Sequence, residues 1–255
     1  MSTRRIKNRW KIAAGLGIVA VVAGAALAFA GSDRSEPAEI QTASTAAVTA
    51  PAADVSAPAI AVSSDLSDAE VSDILFMREE EKLARDVYLT LGEIWTTPVF
   101  TNIARAEETH MAAVLGLIES YGLDDPVDDN PIGVFVETSL QQMYDDLVEQ
   151  GSTSLTAALD VGALIEEVDI EDLIDSIDET TASDVMAVWQ RLLAGSENHL
   201  RAFTSQLGAL GIEREPAVLD IATYDDILAS ATSREQGRSG TSARGGGREG
   251  RGRNS

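Results

Sequence analysis

The chain has 255 residues, with 42 Asp and Glu against 19 Lys and Arg, and no cysteine. A formal net charge of −23 excludes general electrostatic attraction to nucleic acid or to an anionic lipid surface. The absence of thiols excludes disulfides, zinc ribbons and iron–sulfur clusters.

The charge is unevenly spread. Residues 1–35 hold six Lys and Arg but one acid, Asp33, and residues 234–255 hold six Arg and two Glu. At the N-terminus, Arg4, Arg5, Lys7, Arg9 and Lys11 precede an uncharged apolar run from Ile12 to Ala30, which ends in Ala28-Phe29-Ala30-Gly31. This pattern predicts that residues 1–31 are either a cleaved secretion signal or a membrane anchor. Either one places the remainder outside the cytoplasmic membrane, because the positive flank stays inside. Contact with the membrane is expected through this segment alone. Residues 32–63 are rich in Ala, Ser, Thr, Val and Pro without apolar periodicity, and are expected to form a flexible linker.

Residues 64–222 are expected to form one domain, almost wholly helical. Ser67 is a candidate cap for a first helix over about 68–94. Thr96-Thr97-Pro98 interrupts the chain, and a second helix is predicted over about 100–121, ended by Gly122. An acidic connection with two prolines leads to a short helix near 138–149. Ser152 or Ser154 would cap a third long helix reaching about Ile177, and Ser183 a fourth over about 184–209, ended by Gly211. One connection of about 30 residues among short ones points to an all-α four-helix bundle with a single long crossover, the ferritin-like topology. Residues 223–255, rich in Gly and Arg towards their end, are expected to be a disordered tail.

Four helices carry polar groups on apolar stripes. On the second, Phe100, Ile103, Glu107, His110, Val114, Leu117 and Tyr121 recur every three or four residues, so Glu107 and His110 share the inward face. On the fourth, Val185, Trp189, Leu192, Ser196, His199, Phe203 and Leu207 do the same. On the third, Leu155, Leu159, Gly162, Glu166, Ile170, Leu173 and Ile177 form the stripe, and Asp169 falls within the inward arc as a further ligand or an acceptor behind one. Asp160, Glu167, Glu171, Asp175 and Asp178 are expected in solvent. On the first helix, Glu79 points with Lys82 and Asp86 to the polar side. Glu80 lies nearest the middle of the apolar arc, and Glu81 shares a row with Ile74, Met77, Ala84 and Tyr88; periodicity prefers Glu80. Tyr88 and Tyr121 fall on inward stripes at levels flanking these groups. Acids and imidazoles buried together need a partner, and a metal ion supplies one. Ser196 beside His199 has the spacing of a nucleophile and base, but no acid in the sequence orients that histidine, which argues against a hydrolase.

Glu81-x-x-Ala84-x-x-x-Tyr88 resembles the first-helix iron-ligand segment of bacterioferritins, ferritins and rubrerythrins, in which the leading Glu is a ligand. This resemblance moves the expected ligand from Glu80 to Glu81. Glu107-x-x-His110 is similar to the second-helix motif of the same superfamily, and Glu166 matches its third-helix Glu. Glu166-x-x-Asp169 resembles the paired acids of rubrerythrins. Ser196-x-x-His199 is similar to the final Glu-x-x-His but lacks the Glu. The stretches Met77 to Tyr88, Ala157 to Leu173 and Gly195 to Phe203 resemble the ferritin-like family catalogued as domain of unknown function 2202, over about 66–220.

The resemblance implies a metal site built from Glu81, Glu107, His110, Glu166 and His199, with Glu80, Asp169, Ser196 and Tyr88 as further ligands or neighbours. The implied cofactor is iron, two ions or one per chain, with manganese or zinc as alternatives. The implied small partner is dioxygen or peroxide. The expectation is an exported metalloprotein, possible as a di-iron oxidoreductase or ferroxidase. The alternative is a non-catalytic extracytoplasmic module that binds a structural metal or a protein partner.

Overall fold

A computed structural model describes residues 66–239, with side chains described as far as residue 230. The expected signal or anchor, the expected linker and the last part of the expected tail lie outside the described residues. Six helices and no strand occur among them: α1 (Asp68–Trp95), α2 (Pro98–Tyr121), α3 (Thr138–Gly151), α4 (Leu155–Glu179), α5 (Ser183–Ala209) and α6 (Ile221–Ser239). Among the described residues no helix is long and apolar enough to cross a membrane.

Local signals set most of the boundaries. Ser67 and Glu70 form a reciprocal capping box at the start of α1. Thr96, with φ 47°, ends α1, and Pro98 opens α2 at a position where its missing N–H costs nothing. Gly122, with φ 64°, closes α2 in the left-handed region that glycine enters freely. Ser154, not Ser152, caps α4 through the Ala157 amide. Ser183 does not cap α5; it is the first helical residue, and Ala182 precedes it without a side-chain cap. Glu70 takes over this role from a distance. Its Oε1 accepts hydrogen bonds from Thr180 Oγ1 and the Thr181 amide, both at 2.9 Å, and tethers the α4–α5 turn to the start of α1.

The long helices form a ring in the order α1–α2–α5–α4, each packed on the next, with the α1–α2 and α4–α5 pairs sharing the widest contacts. The two pairs are joined by short turns and linked by the long crossover, whose helix α3 packs on α1 and α4. Inside the ring the apolar residues separate into two clusters. One contains Tyr88, Leu91, Phe100, Ile103, Leu159 and Phe203; the other contains Met77, Val114, Leu117, Leu173, Trp189 and Leu192. Each large side chain buried in them contributes on the order of 1.5–3 kcal/mol. On all four long helices the residues between these clusters are polar: Glu81, Glu107 and His110, Glu166 and Asp169, Ser196 and His199.

Two expectations are corrected. Residues from 223 do not form a disordered tail throughout, because α6 runs to Ser239 and buries Tyr224 and Ile227 against the bundle. Asp220 starts that helix, its Oδ1 accepting from the Ala222 and Thr223 amides. Glu79, Lys82, Asp86 and Glu167 are not in solvent but buried. The reason is that their polar face meets chain instead of water. Glu79 accepts from the Val136 and Glu137 amides of the crossover, and Lys82 pairs with Asp86 and donates to the Pro131 carbonyl. Glu167 pairs with Arg214 and accepts from the amides of Ala217, Val218 and Leu219.

Candidate metal centre

All five expected ligands converge. Glu107, on α2, sits at the middle with its two carboxylate oxygens turned to opposite sides. Oε2 lies 2.8 Å from His110 Nδ1 and Oε1 lies 2.8 Å from His199 Nδ1. Beyond each imidazole stands a second carboxylate. Glu81 Oε2 is 3.2 Å from His110 Nδ1, and Glu166 Oε2 is 3.4 Å from His199 Nδ1. The histidine rings stack with centroids 5.4 Å apart. The α1–α2 pair and the α4–α5 pair thus present matching halves around one shared carboxylate.

The second set of expected residues divides. Glu81 reaches His110 Nδ1, as the resemblance implied and periodicity did not. Glu80 and Glu81 are about 100° apart on the helix, and both fall within a wide apolar arc. Glu80 is buried as well. Tyr88 donates to Glu166 Oε1 at 2.5 Å and lies against Phe100 and Phe203. Ser196 is fully buried and donates back to the Leu192 carbonyl. Tyr121 departs from its expected place: it is half-buried at the end of α2 and donates to Asp184. Sequence reasoning missed Gly195. A Cβ there would lie 2.6 Å from His110 Cε1 and closer still to Nε2. The absent side chain is what lets the ring seat against α5 with Nδ1 turned inward.

The uncharacterized protein domain family DUF2202 matches residues 70–231. The chain belongs to this family. It is 44% identical over 173 residues to the uncharacterized protein MJ0754 of Methanocaldococcus jannaschii, covering 68% of this chain and 94% of the relative. The crystal structure of the hypothetical protein MJ0754 is likewise similar, with a TM-score of 0.64 over 65% of this chain and 94% of that one. The family match extends past residue 222 and takes in the first half of α6, whose buried Tyr224 and Ile227 complete the DUF2202 domain.

The electrostatics of this DUF2202 site follow from burial and proximity. Burial opposes charge on His110, but the Glu81 charge and the contacts with Glu107 and Glu81 outweigh it and raise the imidazole pKa to about 11. His199 is raised to about 10 in the same way, by Glu166 and Glu107 acting against burial. Burial pushes Glu107 up, but the two histidines prevail and hold it at about 2. Burial dominates at Glu81, lifting it to about 7 despite His110. It also raises Glu166, and raises Asp169 well above the usual carboxylate range, where the charges of Glu81 and Glu166 add to it.

The protein alone does not satisfy the site. Glu81 Oε1, Glu107 Oε1, Asp169 Oδ1 and His199 Nδ1 are buried without a hydrogen bond. For His199 Nδ1 and Glu107 Oε1 this holds although they lie 2.8 Å apart. Their approach is close, but the direction is wrong for an N–H to point at the oxygen. Unpaired buried polar atoms cost about 1–3 kcal/mol each. A cation between them would turn that cost into coordination. Glu107, His110 and His199 offer ligand atoms that all lie within 4.8 Å of one another, a set compatible with one ion.

Proposed function

We propose that this chain is an exported, ferritin-like metalloprotein. Its buried carboxylate and histidine centre holds iron and reacts with dioxygen or peroxide, oxidising ferrous iron or a small reductant. The observation that carries this reading is the Glu107 carboxylate shared between two inward-facing Nδ1 atoms at 2.8 Å, with buried oxygens that nothing else satisfies. Glu81 and His110 would hold a metal on one side, Glu166 and His199 on the other, with Glu107 common to both. Oxygen and nitrogen donors without sulfur suit iron or manganese and accept zinc.

Bound iron supplies one-electron chemistry and a coordination position for the oxidant. The protein's own residues prepare the place. Both imidazoles must give up a proton for Nδ1 to coordinate, so loading releases protons into the site. The carboxylates offset the positive charge that arrives. Tyr88 fixes the Glu166 carboxylate by its short hydrogen bond. The apolar clusters on either side keep bulk water away. With ferrous ion as the substrate, two ions give one electron each; one peroxide takes both electrons and two protons and leaves as two waters. The basic and apolar N-terminal segment supports a location outside the cytoplasmic membrane.

The test is anaerobic titration with Fe(II), followed by exposure to dioxygen or peroxide. Oxidation well above that of a His110→Ala, His199→Ala variant is expected. Equal rates in the two proteins would remove the catalytic part of the reading. A second reading keeps the metal without the chemistry: one structural ion, such as zinc, held by Glu107, His110 and His199 in a non-catalytic extracytoplasmic module that meets a protein partner. The compact three-residue set favours it. Metal analysis separates the two, with one zinc per chain supporting the module and iron supporting the oxidoreductase.

A further inference from the structure

The two halves of the centre differ at two corresponding positions. On the α1–α2 pair the sequence of roles is Glu81, Ala84, Glu107 and His110. On the α4–α5 pair it is Glu166, Asp169, Ser196 and His199. Asp169 stands three residues after Glu166, where α1 has Ala84 three residues after Glu81. Ser196 stands three residues before His199, where α2 has Glu107. Each half therefore carries two carboxylates and one imidazole. In the second half, the carboxylate has moved from α5 to α4.

We infer that Asp169 is the second shared carboxylate of a two-metal centre, filling from α4 the place that Ser196 leaves open on α5. This rests on the metal-binding reading above. Asp169 is 5% exposed, and its Oδ1 is buried without a hydrogen bond. It lies one turn after Glu166 on the same face of α4, and the charges of Glu81 on one half and Glu166 on the other both act on it. Ser196 is small and fully buried, with its hydroxyl turned back to the Leu192 carbonyl, so α5 supplies no charge at that level. Charge points the same way. Glu81, Glu107, Glu166 and Asp169 together carry four negative charges, which two divalent ions balance once both imidazoles are neutral. Three carboxylates would leave two such ions one charge short in a buried site.

The experiment compares three proteins by equilibrium dialysis against Mn(II), without dioxygen: the unaltered chain, Asp169→Ala, and Asp169→Ala with Ser196→Glu. The double variant rebuilds on α4 and α5 the pattern of α1 and α2. We expect two ions per chain for the first, one ion for the second (or at least a tenfold weaker second ion), and two again for the third. Two ions at unchanged affinity in Asp169→Ala would overturn the assignment while leaving the metal site intact. One ion in the unaltered chain would do the same. No ion in the unaltered chain would instead overturn the underlying reading. Circular dichroism on the metal-free proteins shows whether each variant folds; should the double variant not fold, the ion count of Asp169→Ala decides alone.

Discussion

Two groups of buried carboxylates in this fold are treated differently. At the margins, Glu70, Glu79 and Glu167 hold chain connections and are saturated by the protein. Glu167 alone pairs with Arg214 and receives three consecutive backbone amides. At the centre, Glu81, Glu107 and Asp169 each keep an oxygen that is buried and without a hydrogen bond, and each lies within reach of histidine or another acid. Acids that fasten a fold are paired when the fold is complete. The central acids keep unmatched oxygens, as the proposed cation site requires, and they lie where four helices interrupt their apolar stripes together.

The contrast can be broken from either side. The largest effect is expected at the margin: Glu167→Gln leaves buried Arg214 with Asp160 as its remaining ion-pair partner and weakens the acceptor of three amides, and should cost about 3 kcal/mol of stability. Urea unfolding of the metal-free protein measures this, and ion stoichiometry should stay unchanged in the folded fraction. At the centre the order reverses. Glu107→Gln removes the carboxylate common to both halves and should weaken Mn(II) binding at least about 100-fold, equivalent to about 2.7 kcal/mol. The metal-free protein also loses the shared partner of two charged imidazoles, so its thermal midpoint should fall, and ion binding is read on the folded fraction.

Gly195 sharpens the comparison further. Replacing a glycine inside a helix with alanine ordinarily adds about 0.5–1 kcal/mol of stability. Here the new methyl would meet the His110 ring. Gly195→Ala should therefore weaken ion binding about tenfold while costing the metal-free helix little. Dialysis and thermal unfolding run on one preparation would separate the two effects.

A further expected effect is with pH. His110 and His199 have folded pKa values of about 11 and about 10, above the ordinary 6.5. Their contribution to metal-free stability is thus complete below pH 6.5 and is lost as pH rises through 10 and 11. Glu81, raised from 4.5 to about 7, adds a decline between those values, because its charged form is disfavoured in the fold. Metal affinity should run the opposite way and climb with pH, since each ion displaces imidazole protons. Thermal midpoints across pH 6 to 10, with and without Mn(II), should diverge as pH rises.

Much of this was legible in the sequence, for identifiable reasons. Long amphipathic stripes with Ser, Pro and Gly at their ends located the four bundle helices. The same periodicity put Glu107, His110, Glu166 and His199 inward. Periodicity failed where two adjacent positions fit one arc, as with Glu80 and Glu81; there the resemblance carried the choice. It also failed at Glu79, Lys82, Asp86 and Glu167, because a polar stripe looks the same whether it meets water or the underside of a connection. The helix α6 escaped notice because its apolar residues are few, and because Arg214, which prepares its entry, makes its contacts with Asp160 and Glu167 far away in sequence. Gly195 left no signal, since its role depends on a ring contributed by another helix.

The most direct measurement is a crystal structure of the folded domain loaded with iron or manganese, with anomalous scattering recorded at the metal edge. Two peaks are expected, one bonded to His110 Nδ1 and Glu81, the other to His199 Nδ1 and Glu166, with Glu107 touching both. A loaded crystal with no anomalous peak among these side chains, or with its metal elsewhere, would contradict the central claim.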